Sequence, residues 1–192
     1  MNLNKIIPLW ILSVSFLIST TARSQQEIYF DNFKSNNSRH LISADTIPNF
    51  LTVTDQIYRG GRPLTGDLLA LKNNKGILTV INLENKEPYF QEEKKTAFDL
   101  NLKYFSFPMD GSVRPNDQQI EQVLSILKNS SNFPIFLHCH HGQDRTGLII
   151  GLYRVKVQGW SAKDAYNEML QNGFHSTLKE LDQYFWDKAG NK

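Results

Sequence analysis

One cysteine and one arginine, six positions apart, carry the chemistry that this sequence announces. Cys139 is the only cysteine in 192 residues. It follows Ile135-Phe136-Leu137-His138, an apolar run entered through Pro134 that reads as the end of a buried strand. A short polar stretch, His140-His141-Gly142-Gln143-Asp144, leads to Arg145-Thr146-Gly147, which opens an apolar run that reads as a helix. Backbone amides of a loop that runs into a helix N-terminus converge on a common centre and bind an oxyanion. The same partial positive charge, helped by Arg145, favours a thiolate over a thiol at Cys139. A planar guanidinium holds two oxygens of one phosphoryl group, which a lysine does not. Gly142 lets the loop turn tightly, and Thr146 brings a hydroxyl able to donate to the sulfur when it leaves. An anion cradle with a nucleophile on its floor predicts attack of sulfur on phosphorus. Cys139 as a small buried hydrophobe is the competing reading, and the polar loop around it argues against that.

The stretch HCHHGQDRTG, residues 138–147, resembles the HC-x5-R-[ST] signature of the protein tyrosine phosphatase superfamily, and its dual-specificity-like, atypical bacterial branch in particular. The resemblance covers roughly residues 48–185. It includes IPNFLTVTDQIYRGGRP, which is similar to the opening strand and turn of the atypical, fungal and plant-like members. It implies a phosphoric monoester hydrolase that works through a phosphocysteine intermediate, with no cofactor and no metal.

Expelling an alkoxide or phenoxide requires a general acid. The resemblance implies an aspartate on a loop about thirty residues before the cysteine, and Asp110, in FPMDGSVRP, stands 29 positions before Cys139. In the second half-reaction the same carboxylate would activate water. A turn aspartate beside glycine is the structural alternative, and Asp117 is the fallback acid, although it reads as a helix-start residue. Asp144 can orient Arg145, cap the helix or serve as a spare acid or base, and it implies a polar partner, Arg59 or Arg62. His138 is expected to support the thiolate indirectly. His140 and His141 line the cradle with Gly142, Gln143 and Asp144, and when protonated they would favour a doubly charged substrate. Adjacent histidines with no carboxylate or second cysteine at ligand spacing do not make a metal site. His175 is expected to pack near the loop. Arg59 and Arg62, around Gly60-Gly61, either line the pocket mouth and take a second phosphate or form a solvated turn.

Strand and helix signals alternate around these residues. Strands are expected at Gln56–Arg59, Ile77–Leu83, Leu102–Phe107 and Ile135–His138. Helices are expected from a Thr65 cap to Asn74, over Pro88–Leu100, from Pro115-Asn116-Asp117 onward, and after Arg145. Two more begin at capping boxes, Ser161 with Asp164 and Thr177 with Glu180. This pattern predicts an α/β fold, a central four- to five-stranded, mostly parallel sheet flanked by helices on both faces. The ligand then lies at the carboxyl ends of the strands, where Cys139 falls.

The chain begins with Lys5, an apolar run from Ile6 to Ile18 and Ala22-Arg23-Ser24, a pattern that reads as a signal peptide over residues 1–24. A polar leader follows over 25–45, and a single phosphatase domain over 46–192. The first segment takes Lys5 and Arg23 from 21 basic residues and nothing from 19 acidic ones, so the remainder balances. A neutral chain gives no support to nucleic-acid binding. The expectation is an exported protein, periplasmic or secreted, with no stable membrane span after processing. Its partners would be a phosphorylated protein or a small phosphomonoester, with inositol phosphates and phosphoinositides included. A rhodanese-like sulfurtransferase and a non-catalytic phospholigand-binding module are the alternatives from other classes.

Overall fold

β-Branched runs and amphipathic helices alternate along the chain, and they assemble as a sheet with helices on each side. The computed structural model describes residues 46–85 and 89–190. The signal peptide and the leader expected before residue 46 lie outside the described residues. Five strands, β1 (Leu51–Thr54), β2 (Ile57–Gly60), β3 (Thr79–Asn82), β4 (Lys103–Ser106) and β5 (Ile135–His138), form one sheet in the order β1-β2-β5-β3-β4. β1 runs antiparallel to β2, and the other pairings are parallel. Six α-helices are described, α1 (Thr65–Lys75), α2 (Tyr89–Asp99), α3 (Asp117–Lys128), α4 (Asp144–Lys156), α5 (Ala162–Gln171) and α6 (Lys179–Ala189).

Alternation along the strands sends successive side chains to opposite faces. Ile57, Ile81, Ile135 and Leu137 join Val123 and Leu127 of α3, Leu148 and Leu152 of α4, Met169 of α5 and Phe185 of α6 in one core. Val80 and Phe136 point the other way, into Leu68 and Leu71 of α1 and Ala97 of α2. Each such fully buried aliphatic or aromatic side chain contributes about 1.5–3 kcal/mol. α4 is buried from Thr146 through Arg154 without a break, as expected of a helix walled in on every side. Gly151 makes this possible, because a Cβ there would lie 3.0 Å from the Phe185 ring and overlap Met169.

The helix starts correct two expectations. Thr65 does not cap α1; Leu64 is the cap residue, and its amide donates to Asp67 Oδ2 at 2.7 Å, because a carboxylate three positions on reaches back to it. Thr177 and Glu180 form no capping box either. Leu178 takes the cap position instead, after the backbone turns Leu178 N to His175 O and Lys179 N to Thr177 O, and α6 starts one residue later than the pattern suggests. At α5 Ser161 is the cap as expected, Asp164 N donating to its Oγ at 3.0 Å, but the Asp164 carboxylate accepts from the Ser161 hydroxyl at 2.7 Å rather than from its backbone amide.

The parallel register sets Gly60, His138, Asn82 and Ser106 in one row, at the carboxyl edge of four neighbouring strands. Arg62, Asp110 and the loop from Cys139 to Gln143 lie on the segments that leave this row. Among the described residues no helix is long and apolar enough to cross a membrane.

Candidate active site

Residues 138–142 leave β5 with every carbonyl turned outward, each facing a donor from outside the loop or a neighbouring ring. Leu83 N donates to the His138 carbonyl at 2.9 Å and Arg62 N to that of His140 at 3.0 Å. Asn49 Nδ2 donates to the His141 carbonyl at 2.8 Å and Arg59 Nη2 to that of Gly142 at 2.6 Å. His138 Nδ1 faces the Cys139 carbonyl at 3.3 Å. In a planar trans peptide the following N–H points opposite to the carbonyl, so the amides from Cys139 to Gln143 turn inward. None of the amides of residues 140–143 donates a hydrogen bond among the described residues. A row of unspent amides curled toward one centre, at the N-terminus of α4, is an oxyanion site. Gly142 is its hinge: φ is +74°, and a Cβ would stand 2.5 Å from the Gly61 amide nitrogen.

Cys139 is buried, reduced and 2% exposed. Arg145 closes one side of the cradle. Its Nη1 donates to the carbonyl of Met109 at 3.2 Å and, at 3.4 Å each, to that of Leu83 and to Asn85 Oδ1. The Nε–Nη2 edge makes no hydrogen bond among the described residues and remains for two oxygens of an anion. The Thr146 hydroxyl is fully buried and has no hydrogen-bond partner among the described residues. That leaves the hydroxyl able to donate to a departing sulfur.

Asp110 is exposed on the loop after β4, adjacent to Met109, whose carbonyl Arg145 holds. Its Oδ1 accepts from the Ser112 hydroxyl at 2.7 Å and the Ser112 amide at 2.8 Å. These two bonds, with the more distant Arg145, hold the carboxyl below the usual carboxylate range. Asp117, the fallback, is committed elsewhere: it accepts from Tyr184 Oη at 2.9 Å and Lys188 Nζ at 2.7 Å and so ties α3 to α6.

The remaining candidates separate. Arg59 lines no pocket mouth and forms no solvated turn; it is 2% exposed and braces the loop from beneath. Arg62 is spent on Glu84, Nε to Oε1 at 2.7 Å with Nη2 on the second oxygen, and it stacks on Tyr89 at 3.9 Å. Asp144 neither caps α4 nor meets an arginine: its Oδ1 accepts from His175 N at 2.8 Å and faces His175 Nδ1 at 3.0 Å. A Cβ on Gly173 would touch Gln143 Cδ at 3.0 Å. The side chains of Gln143 and Asp144 therefore pack on the α5–α6 loop and only their backbones belong to the cradle. His140 Nδ1 and His141 Nε2 stand 2.8 Å apart. Burial, then His141, Arg62 and Arg145, hold His140 below its usual value against the pull of Glu84. The lowering disfavours the protonated ring.

Sequence reasoning missed Glu93 and Glu84. Glu93 Oε1 meets His138 Nε2 at 2.7 Å across the edge of the sheet, and only the fold brings them together. A cavity of about 400 Å³ opens beside Arg62, between Leu64, Tyr89 and Glu93, and no residue of the Cys139 loop lines it.

The family model described as the tyrosine phosphatase family matches residues 46–188. The chain belongs to that family. Among its relatives are an inositol diphosphatase of Arabidopsis thaliana, DSP5, 33% identical over 130 residues (63% of this chain, 60% of that protein), and one of Saccharomyces cerevisiae, SIW14, 30% identical over 156 residues (78% and 54%). The crystal structure of TpbA from Pseudomonas aeruginosa, a protein named as a dual specificity protein phosphatase, superposes with a TM-score of 0.62 at 25% identity, covering 73% of this chain and 84% of that one. The chain thus spans just over half the length of the two inositol diphosphatases. In this family the sheet, its flanking helices and the cysteine-bearing loop form the dual-specificity-like fold that residues 138–147 suggested.

Proposed function

We propose that this chain is a cysteine-dependent phosphatase that hydrolyses phosphate monoesters through a phosphocysteine intermediate. The observation that carries the reading is the loop whose five carbonyls face outward and whose amides are left for an anion above Cys139. In the first step the Cys139 thiolate forms the S–P bond as the P–O bond to the leaving group breaks, and Asp110 gives that oxygen its proton. Arg145 and the inward amides hold the three equatorial oxygens, whose charge is spread in the transition state. In the second step Asp110 takes a proton from water as its oxygen attacks phosphorus and the S–P bond breaks. The free Thr146 hydroxyl stabilises the departing sulfur.

Removal of phosphate from an inositol phosphate is the second reading, and the two relatives named inositol diphosphatases support it. Arg59 and Arg62 lend it nothing, being buried and paired respectively. Export through residues 1–24 belongs to the same proposal, and N-terminal sequencing of the released protein tests it.

Phosphate release from a small aryl phosphate by the full chain, with chelator present, beside Cys139→Ser, tests the central reading. Activity that survives chelation and vanishes in the variant is expected. Equal activity in the two proteins overturns it. A panel of phosphotyrosine peptide and inositol phosphates then separates the two substrate readings.

A further inference from the structure

Arg59 has a charge that the fold does not balance. It is 2% exposed at the end of β2, and no carboxylate lies within ion-pair distance of it among the described residues. Its Nη2 donates to the Gly142 carbonyl at 2.6 Å, while Nε is buried with no partner. Burying an unpaired guanidinium costs several kcal/mol, and a neutral donor would hold Gly142 for much less. The charge must therefore answer another charge. Desolvation pushes the guanidinium below its ordinary value, and two groups oppose that, Glu168 and Cys139, while Arg154 adds to it. Glu168 is already committed, both oxygens bound to Arg154 at 2.6 and 2.9 Å. Cys139 is the other, and it opens the loop whose Gly142 carbonyl Arg59 holds. The guanidinium also lies under the start of α4, since a Cβ on Gly147 would be 4.0 Å from its Nη2.

We propose that Arg59 is a positioning residue of the reaction, holding the Gly142 carbonyl outward and supplying the fixed buried positive charge opposite the Cys139 thiolate. The inference rests on Cys139 acting as a thiolate nucleophile. Arg145 faces the phosphoryl oxygens from the open side of the loop, whereas Arg59 lies beneath it, out of reach of solvent and substrate. The other charges acting on Arg59 come from α4 (Arg154) and α5 (Glu168), and the His138 ring at the end of β5 faces the Cys139 carbonyl.

The test is the rate at which neutral iodoacetamide alkylates Cys139 in the full chain at pH 6.5, which needs no turnover and so judges Arg59 apart from the phosphatase reading. A merely structural arginine, once removed, loosens the loop and speeds alkylation. A counter-charge, once removed, slows it. Arg59→Met is expected to slow alkylation about tenfold and to lower kcat for an aryl phosphate about a hundredfold with KM changed much less. Arg59→Lys, which keeps the charge, is expected to restore the alkylation rate. Unchanged or faster alkylation in Arg59→Met overturns the proposal, and so does a Lys variant no better than Met. If neither variant folds, the wild type still decides. A buried charge is not screened by salt, so alkylation should change less than about twofold between 0.05 and 0.5 M NaCl, and a tenfold fall would assign the effect to exposed charges instead.

Discussion

Glu93 Oε1 stands 2.7 Å from His138 Nε2, and both side chains are buried although 45 positions separate them. Glu93 Oε2 accepts from Asn82 Nδ2 at 3.0 Å, and the same amide group donates to Tyr104 Oη at 2.9 Å. One carboxylate from α2 thus fixes the ends of β3 and β5, next to Cys139. The His138 ring lies between the Glu93 carboxylate and the Cys139 carbonyl. Glu93→Ala strands this ring. We expect a stability loss of about 2–3 kcal/mol, seen as a lower urea midpoint, together with a fall in kcat of about tenfold. An unchanged midpoint would mean that the network does not hold the loop.

Gly142→Ala attacks the cradle directly. A left-handed φ costs a non-glycine residue about 1–2 kcal/mol, and the added Cβ also overlaps the Gly60–Gly61 peptide. The loop has to swing away from β2, which takes its amides off their common centre. Competitive inhibition by inorganic phosphate should weaken at least tenfold, and kcat should fall by about a hundredfold or more. Retention of phosphate inhibition at the wild-type level would show that the loop tolerates another shape.

Local features of the site were legible in the sequence, and distant ones were not. Cys139, Gly142, Arg145 and Thr146 act through a strand, a turn and a helix start that their own neighbours specify. Four of the five strands and the helices on both faces followed from apolar runs at strand and helix spacing, whereas the antiparallel edge strand β1 was not read. Glu93, by contrast, looks like one more charge on a polar helix until α2 lies over β3 and β5. Arg59 has the sequence setting of a surface turn, and only the pairing of β2 with β5 puts it under the loop. Asp144 seemed to call for an arginine, and its partner, His175, arrives 31 residues later from a connection between helices. Each miss is a long-range contact of a charged residue, for which spacing along the chain carries no signal.

Asp110 can donate a proton only while it holds one, and the Ser112 hydroxyl and amide keep its carboxyl below the ordinary range. The rate of an acid-assisted step falls as pH rises through the pKa of the acid. A depressed pKa moves that fall to lower pH. Ser112→Ala removes the hydroxyl, the larger cause, so the carboxyl rises and the falling limb of kcat/KM moves to higher pH. The effect should be clear for an alkyl phosphate, whose leaving group needs the proton, and small for a nitrophenyl phosphate, whose leaving group does not. If Asp110→Asn leaves alkyl phosphate turnover intact, the acid is another group.

Asp144 and His175 make the last prediction one of order. Asp144 Oδ1 accepts from the His175 amide as well as facing its ring, and the ring is 58% exposed. A side-chain contact this exposed contributes about 0–1 kcal/mol, so His175→Ala, which leaves the backbone donor in place, should change kcat/KM less than about threefold. Asp144→Ala removes the acceptor of both bonds. It frees the α5–α6 loop from the first turn of α4, beside Arg145, and a small misplacement of a phosphate-binding arginine is expensive. We expect about a tenfold loss in kcat/KM and faster hydrogen exchange at the His175 amide. Asp144→Asn, whose amide oxygen still accepts from that N–H, should fall between the two. The reverse order, with His175→Ala the more damaging, would mean that the histidine ring acts on the substrate itself rather than through Asp144.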